Sequence, residues 1–285
     1  MPSPGPTEPE PATPEPSAAS VSMQRYYARV EDSLVSRGLL RTDDGQVDAK
    51  YTSRELVDNF VQIALYDEYV TSGSTIIARP TKSRLRRWES PIRLGVTFGA
   101  HVTEAQQSQD MEMIRDVSRQ LERASQHPVS LTSADRANYH LLVLNEDDRR
   151  GIEPTLRKLI PGIDDNMIRF LTGLSRSTYC LVLAFSTGDN PVYNQALALV
   201  RSEHPDLLRQ SCYHEELAQG MGLANDSPRA RPSVFNDDEE FALLTSHDEL
   251  LLRILYDPRL RPGMTPEQAR PVVVEIVEEL TGGSV

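Results

Sequence analysis

The sequence predicts an α+β fold: a mixed sheet packed on one buried helix and flanked by further helices. Two observations carry this. Apolar runs of strand length fall at residues 91–98, 137–144 and 178–186. Helical patterns lie before, between and after them, in the order helices, strand, helix, strands, helix, helices, without a repeated βαβ unit.

The first twenty residues are rich in Pro, Glu, Ala and Ser and read as an extended, disordered tether or a frayed terminus. Residues 21–74 form an N-terminal helical region. It holds a helix over 21–40, a turn at Asp43-Asp44-Gly45, and a second helix to Tyr69 with Ser53 as its N-cap. Residues 75–91 carry Lys82, Arg84, Arg86 and Arg87 beside Trp88. This patch is read as a solvated edge leading into the first strand, with an anion-binding surface as the alternative.

Residues 75–260 form the main domain. Met113, Ile114, Val117 and Leu121 line one face of a helix over 111–125. The strand over 137–144 closes on the acidic turn Asn145–Asp148, and residues 153–173 read as helix broken at Pro161-Gly162. After the strand over 178–186, residues 189–200 read as an exposed segment or an edge strand, followed by a short helix over 205–210. Thr245 and Asp248 are spaced as a capping box for a helix that Pro258 stops. Thr265 and Pro266 open a last helix, assigned to a C-terminal unit over 261–285.

Composition narrows the function. The chain has 285 residues and a formal net charge of −12, which disfavours nucleic acid as a partner. No stretch of about 18 apolar residues is present to span a membrane. There are two cysteines. Cys180 lies on an apolar strand and Cys212 just ahead of a helix. If that helix packs behind the strand, a disulfide joins them, adds roughly 3–4 kcal/mol and implies an oxidising compartment. Two buried free thiols are the alternative.

The chemistry concentrates in residues 211–226, Ser-Cys-Tyr-His-Glu-Glu-Leu-Ala-Gln-Gly-Met-Gly-Leu-Ala-Asn-Asp. His214 and Glu215 match the start of H-E-x-x-H, but the position four after His214 is Ala218. A second register sets Gly222 on the glycine of H-E-x-x-H-x-x-G-x-x-H. Glu215, Gln219 and Asn225 then occupy the three ligand positions and Glu216 that of the catalytic glutamate. In this register the segment resembles the active-site helix of zincin and metzincin metallopeptidases. It is similar to a family of predicted secreted proteobacterial proteins in which the histidines are replaced. The resemblance covers roughly residues 85–260 and is sharpest over 212–226 and 245–256. A catalytic version of such a site implies an open cleft beside the helix, with Glu216 facing a strand edge able to pair with an extended peptide; a non-catalytic binding module implies a filled cleft.

The substitutions change what such a site can hold. Glu, Gln and Asn offer oxygen ligands, suited to Ca²⁺, Mg²⁺ or Mn²⁺ rather than zinc. The cofactor is therefore open, an oxygen-ligated divalent cation being the candidate. A structural reading stands beside it. Glu215 and Gln219, at i and i+4, can bond each other, Asn225 can cap, and Asp226 can brace a loop. Zinc bound by His214 would need distant partners, with His101 and His140 as candidates near strand ends. The acidic run Asp237–Glu240 lacks the spacing of a calcium loop and reads as a solvated loop. The expectation is a secreted or periplasmic, zincin-like binding or envelope-associated module with a degenerate metal site. Its partner would be an extended peptide or an envelope protein, and the tether would serve as an anchor. The alternative is a metal-dependent peptidase or other hydrolase using Glu216 as general base.

Overall fold

The computed structural model describes residues 13–72 and 75–283. Helix α1 (Ala18–Ser36) is followed by α2 (Ser53–Ala64), the antiparallel hairpin β1 (Tyr66–Ser72) and β2 (Thr75–Lys82), and the short β3 (Arg87–Trp88). Then come β4 (Ile92–Phe98), α3 (Glu104–Ser125), β5 (Val129–Thr132) and β6 (Tyr139–Leu144). The helices α4 (Glu146–Arg150), α5 (Glu153–Leu159) and α6 (Asp165–Thr172) lead to β7 (Cys180–Phe185), β8 (Val192–Tyr193) and β9 (Gln195–Arg201). The chain closes with α7 (Asp206–Gln219), α8 (Ser246–Leu255) and α9 (Pro266–Thr281).

The fold is a mixed α+β arrangement. Its main sheet has five strands in the order β5-β4-β6-β9-β7. The first four run parallel, and β7 lies antiparallel to β9 at the edge. Residue parity divides the sheet into two faces. Leu141, Val143, Ala196, Ala198 and Val200 pack with α3, α7, α8, α2 and α9 in the larger core. Leu142, Leu144, Leu197 and Leu199 pack with α5 and α6 in a second core.

Several sequence expectations change. Residues 195–201 are a central strand rather than an exposed edge, because Ala196 to Arg201 are buried and Ala196 to Val200 pair on both sides. Parallel strands covered on two faces read as continuous apolar runs, and Gln195-Ala-Leu-Ala-Leu-Val200 is such a run. The helix expected to reach Tyr69 stops at Ala64, and its N-cap is Thr52, in a full capping box with Glu55. Beyond Leu65 the sequence turns to aromatic and β-branched residues that favour a strand. The tether assigned to residues 1–20 gives way to helix at Ala18, where the Ser17 side chain caps α1; residues 1–12 lie outside the described residues. The α2 and α9 helices, placed outside the 75–260 unit, bury Phe60, Ile63, Val273 and Ile276 in the same larger core. The basic segment is not a solvated edge at Trp88, which is buried, nor at Arg87, whose guanidinium donates to the carbonyls of Leu255 and Asp257. The capping box at Thr245 forms as its spacing predicts, and Thr265 opens α9 with a box of its own to Gln268.

Candidate functional site

The motif lies on α7, one continuous helix rather than a short helix followed by a second. It is buried on nearly every side: from Ser211 to Gln219 only Glu215 is partly exposed. A central helix of this kind carries no clean apolar stripe. The Cys180–Cys212 disulfide forms, with a Cα–Cα distance of 5.9 Å, and ties the second turn of α7 to the start of edge strand β7.

The carboxyl end of α7 is closed by three aromatic donors. Tyr139 Oη donates to the Glu216 carbonyl at 2.6 Å, Trp88 Nε1 to the Gly220 carbonyl at 2.8 Å, and Tyr256 Oη to the Met221 carbonyl at 3.0 Å. The Trp88 and Tyr256 donors satisfy oxygens that a helix end otherwise leaves open, and Tyr139 adds a second donor to the Glu216 carbonyl, which also accepts the Gly220 N–H. The chain then turns at Gly222, with φ of +126°. A Cβ there would sit 2.3 Å from the Arg86 carbonyl oxygen, so both the conformation and the close approach demand glycine.

Beyond the turn the predicted site residues separate. Asn225 donates its amide to the Gln62 carbonyl at 3.0 Å and takes the Ile63 carbonyl with its backbone N–H, so it closes the end of α2. Gln219 donates to Asp226 Oδ1 at 2.8 Å, which braces the loop against the helix. His214 is buried, and its Nδ1 accepts the Leu244 N–H at 3.2 Å. Burial drives its pKa down to about 4, with Asp248 opposing in part, so the ring is neutral with its proton on Nε2. Ser233 Oγ and the Val234 N–H donate to the buried Asp248 carboxylate.

The candidate zinc partners of His214 lie elsewhere. His101 Nδ1 is 2.8 Å from Asp148 Oδ1. His140 shares the parity of Leu142 and Leu144, so it lies on the sheet face opposite α7. Among the described residues, the group with metal-like spacing is Cys180, Glu215 and Glu216, whose ligand atoms lie within 4.8 Å of one another. Its sulfur is held in the disulfide and cannot serve as a thiolate. Two carboxylates from one helix remain, a thin donor set for a hard cation that prefers six or more oxygens.

Glu215 and Glu216 line an open cavity of about 530 Å³. Its opposite wall is the approach to β7, Ser177 to Cys180, and its rim is Asp237, Asp238 and Glu239, with Arg37 of α1. Within the acidic run Asp237 and Asp238 are exposed, as a solvated loop would be, while Glu239 and Glu240 are partly buried. Asn236 Oδ1 accepts the Asp238 N–H in a tight turn, and Glu239 has φ of +57°. Burial and the neighbouring Asp237 push Glu239 up to about 7, and burial and Asp238 raise Asp237. Nothing in local spacing links Trp88, Tyr139 and Tyr256 to α7, so the sequence does not mark them as site residues. The acidic run was visible, but not its position.

No curated protein and no solved structure matches the chain. One family model does, over residues 53–275, from the first residue of α2 to within α9. The chain therefore belongs to the family described as "Protein of unknown function (DUF2927)".

Proposed function

We propose that the protein is a secreted or periplasmic binding module of zincin-like descent, with a degenerate metal site, that takes an extended basic peptide segment of an envelope protein. One observation carries the reading. The cavity beside the motif helix is walled by the start of an edge strand and by the carboxylates of Glu215, Glu216, Asp237, Asp238 and Glu239. An edge strand offers main-chain pairing to an extended chain, and the carboxylates select positive side chains. The mixed sheet, the motif helix and the turn at Gly222 support the zincin-like descent. The disulfide suits an oxidising compartment. The roles of Gln219 and Asn225 as braces favour binding over metal-dependent catalysis.

The test is fluorescence anisotropy with a labelled alternating Lys-Val peptide. Wild-type protein is expected to bind saturably. The Asp237→Asn/Asp238→Asn double variant should bind about tenfold more weakly. Equal affinity in the double variant, or no binding by wild type, overturns the reading. A second reading rests on the mutual proximity of the Glu215 and Glu216 carboxylates. Peptide cleavage that needs an added divalent ion and is lost in Glu216→Gln would establish a hydrolase in place of a binding module.

A further inference from the structure

We propose that the crevice at the carboxyl ends of β4, β6 and β9 is a second binding site, and that it takes a small organic cation carrying a primary ammonium. The topology places a crevice there. The chain leaves β4 for α3 and β9 for α7 on one face of the sheet, and leaves β6 for α5 and α6 on the other. Adjacent parallel strands whose connections diverge in this way open a cleft beyond their carboxyl ends, a recurrent place for ligands. Two adjoining cavities, about 460 and 320 Å³, occupy it and share Gln24, Thr103, Gln106, Ser202 and Glu203.

The chemistry selects a donor. Glu203 is 6% exposed, and its Oε1 accepts from Ser20 Oγ at 2.8 Å and from the Glu146 N–H at 2.6 Å. Its Oε2 has no hydrogen-bond partner among the described residues. His204, 2% exposed, lines the larger cavity, and its Nε2 is likewise unpartnered. His204 Nδ1 lies 3.7 Å from Cys212 Sγ, a disulfide sulfur without a hydrogen, which leaves the ring proton on Nδ1 and a lone pair on Nε2. Two consecutive buried acceptors thus lack donors, and since both atoms are sealed from solvent a ligand would meet them only as these side chains turn toward the crevice.

The surrounding charge selects a cation. Glu15, Glu203 and Asp206 line the two cavities. The guanidinium in the lining is Arg209, and its nitrogens already serve Asp110, the His204 carbonyl and Asp206. Burial raises the Glu203 pKa, and an ammonium beside it would relieve that cost.

The test uses the full chain and putrescine, with 1,4-butanediol as the neutral analogue, at ionic strength matched with NaCl. Calorimetry should show saturable putrescine binding and none for butanediol. Glu203→Gln, which keeps the Oε1 acceptor and removes the charge, should weaken binding at least about tenfold. Ala28→Trp, on the exposed face of α1 at the wall of the larger cavity, should do the same without touching Glu203. The proposal is overturned if wild-type protein shows no saturable binding up to about 20 mM putrescine. It is equally overturned if butanediol binds as well, or if both variants bind as wild type does. None of these results bears on the peptide cleft.

Discussion

A histidine in a peptidase-like motif invites a catalytic reading, and titration of His214 separates that role from a structural one. The ring is buried and neutral, an acceptor for the Leu244 N–H, with its pKa brought from an ordinary 6.5 down to about 4. The unfolded chain therefore binds a proton at higher pH than the native state does. The stability this group contributes is complete above pH 6.5 and is lost as pH falls toward 4. Integrating between those values gives a loss of ~2.6 kcal/mol by about pH 4.5. Other buried groups titrate in the same range, so the informative quantity is a difference. Urea denaturation of wild type and His214→Gln, at steps from about pH 7.5 to 4.5, isolates the single ring. Glutamine keeps an acceptor for Leu244 but takes up no proton. The gap between the two proteins should change by roughly 2–3 kcal/mol in favour of the variant as pH falls. A change below about 0.5 kcal/mol would show that the ring is not held neutral by burial. A gap that opens above pH 6.5 would show a charged ring in the native state.

Glu239 titrates with the opposite sign. A carboxyl raised to about 7 is protonated more readily in the native state, so its penalty fades as pH falls from 7 toward 4.5. Glu239→Gln should stabilise the protein by about 2 kcal/mol at pH 8, read from urea midpoints, and add nothing near pH 4.5. Reduction of the disulfide, which separates Cys180 and Cys212 by 32 residues, should cost ~3.7 kcal/mol by loop entropy, seen as a lower urea midpoint in dithiothreitol. Gly222→Ala should cost more than about 2 kcal/mol, since it sets a side chain against the Arg86 carbonyl at an unfavourable φ. Circular dichroism melts would show it, and a midpoint equal to that of wild type would refute the close approach. Trp88→Phe should lower stability by about 1–3 kcal/mol by leaving the Gly220 carbonyl without its donor, again measured by denaturation.

Much of the architecture was legible because its signals are local. Caps at Thr245 and Thr265, the helix break at Pro161-Gly162 and three of the main strands follow from residue types a few positions apart. Strand β9 and helix α7 were harder for one reason: both are central, and burial on all sides erases the alternation that marks one solvent face. The disulfide was legible from an apolar strand and a helix each bearing a single cysteine. The engagements of Gln219 with Asp226 and of Asn225 with Gln62 were only half legible. Bracing by such residues was expected, but the end of α2 lies 163 positions away in sequence. A comparable separation hid Trp88, whose indole meets Gly220 across 132 residues.

The aromatic trio at the end of α7 sets what kind of force the cleft can exert. With three terminal carbonyls already quenched by phenol and indole protons, the negative pole of the helix contributes little outward field. Attraction for a visitor must then come from ionised side chains at the rim. A field built from partly hydrated carboxylates is damped by ordinary electrolyte within about 8 Å at physiological ionic strength. Capture by this surface should therefore be short-ranged, reversible and strongly weakened by brine.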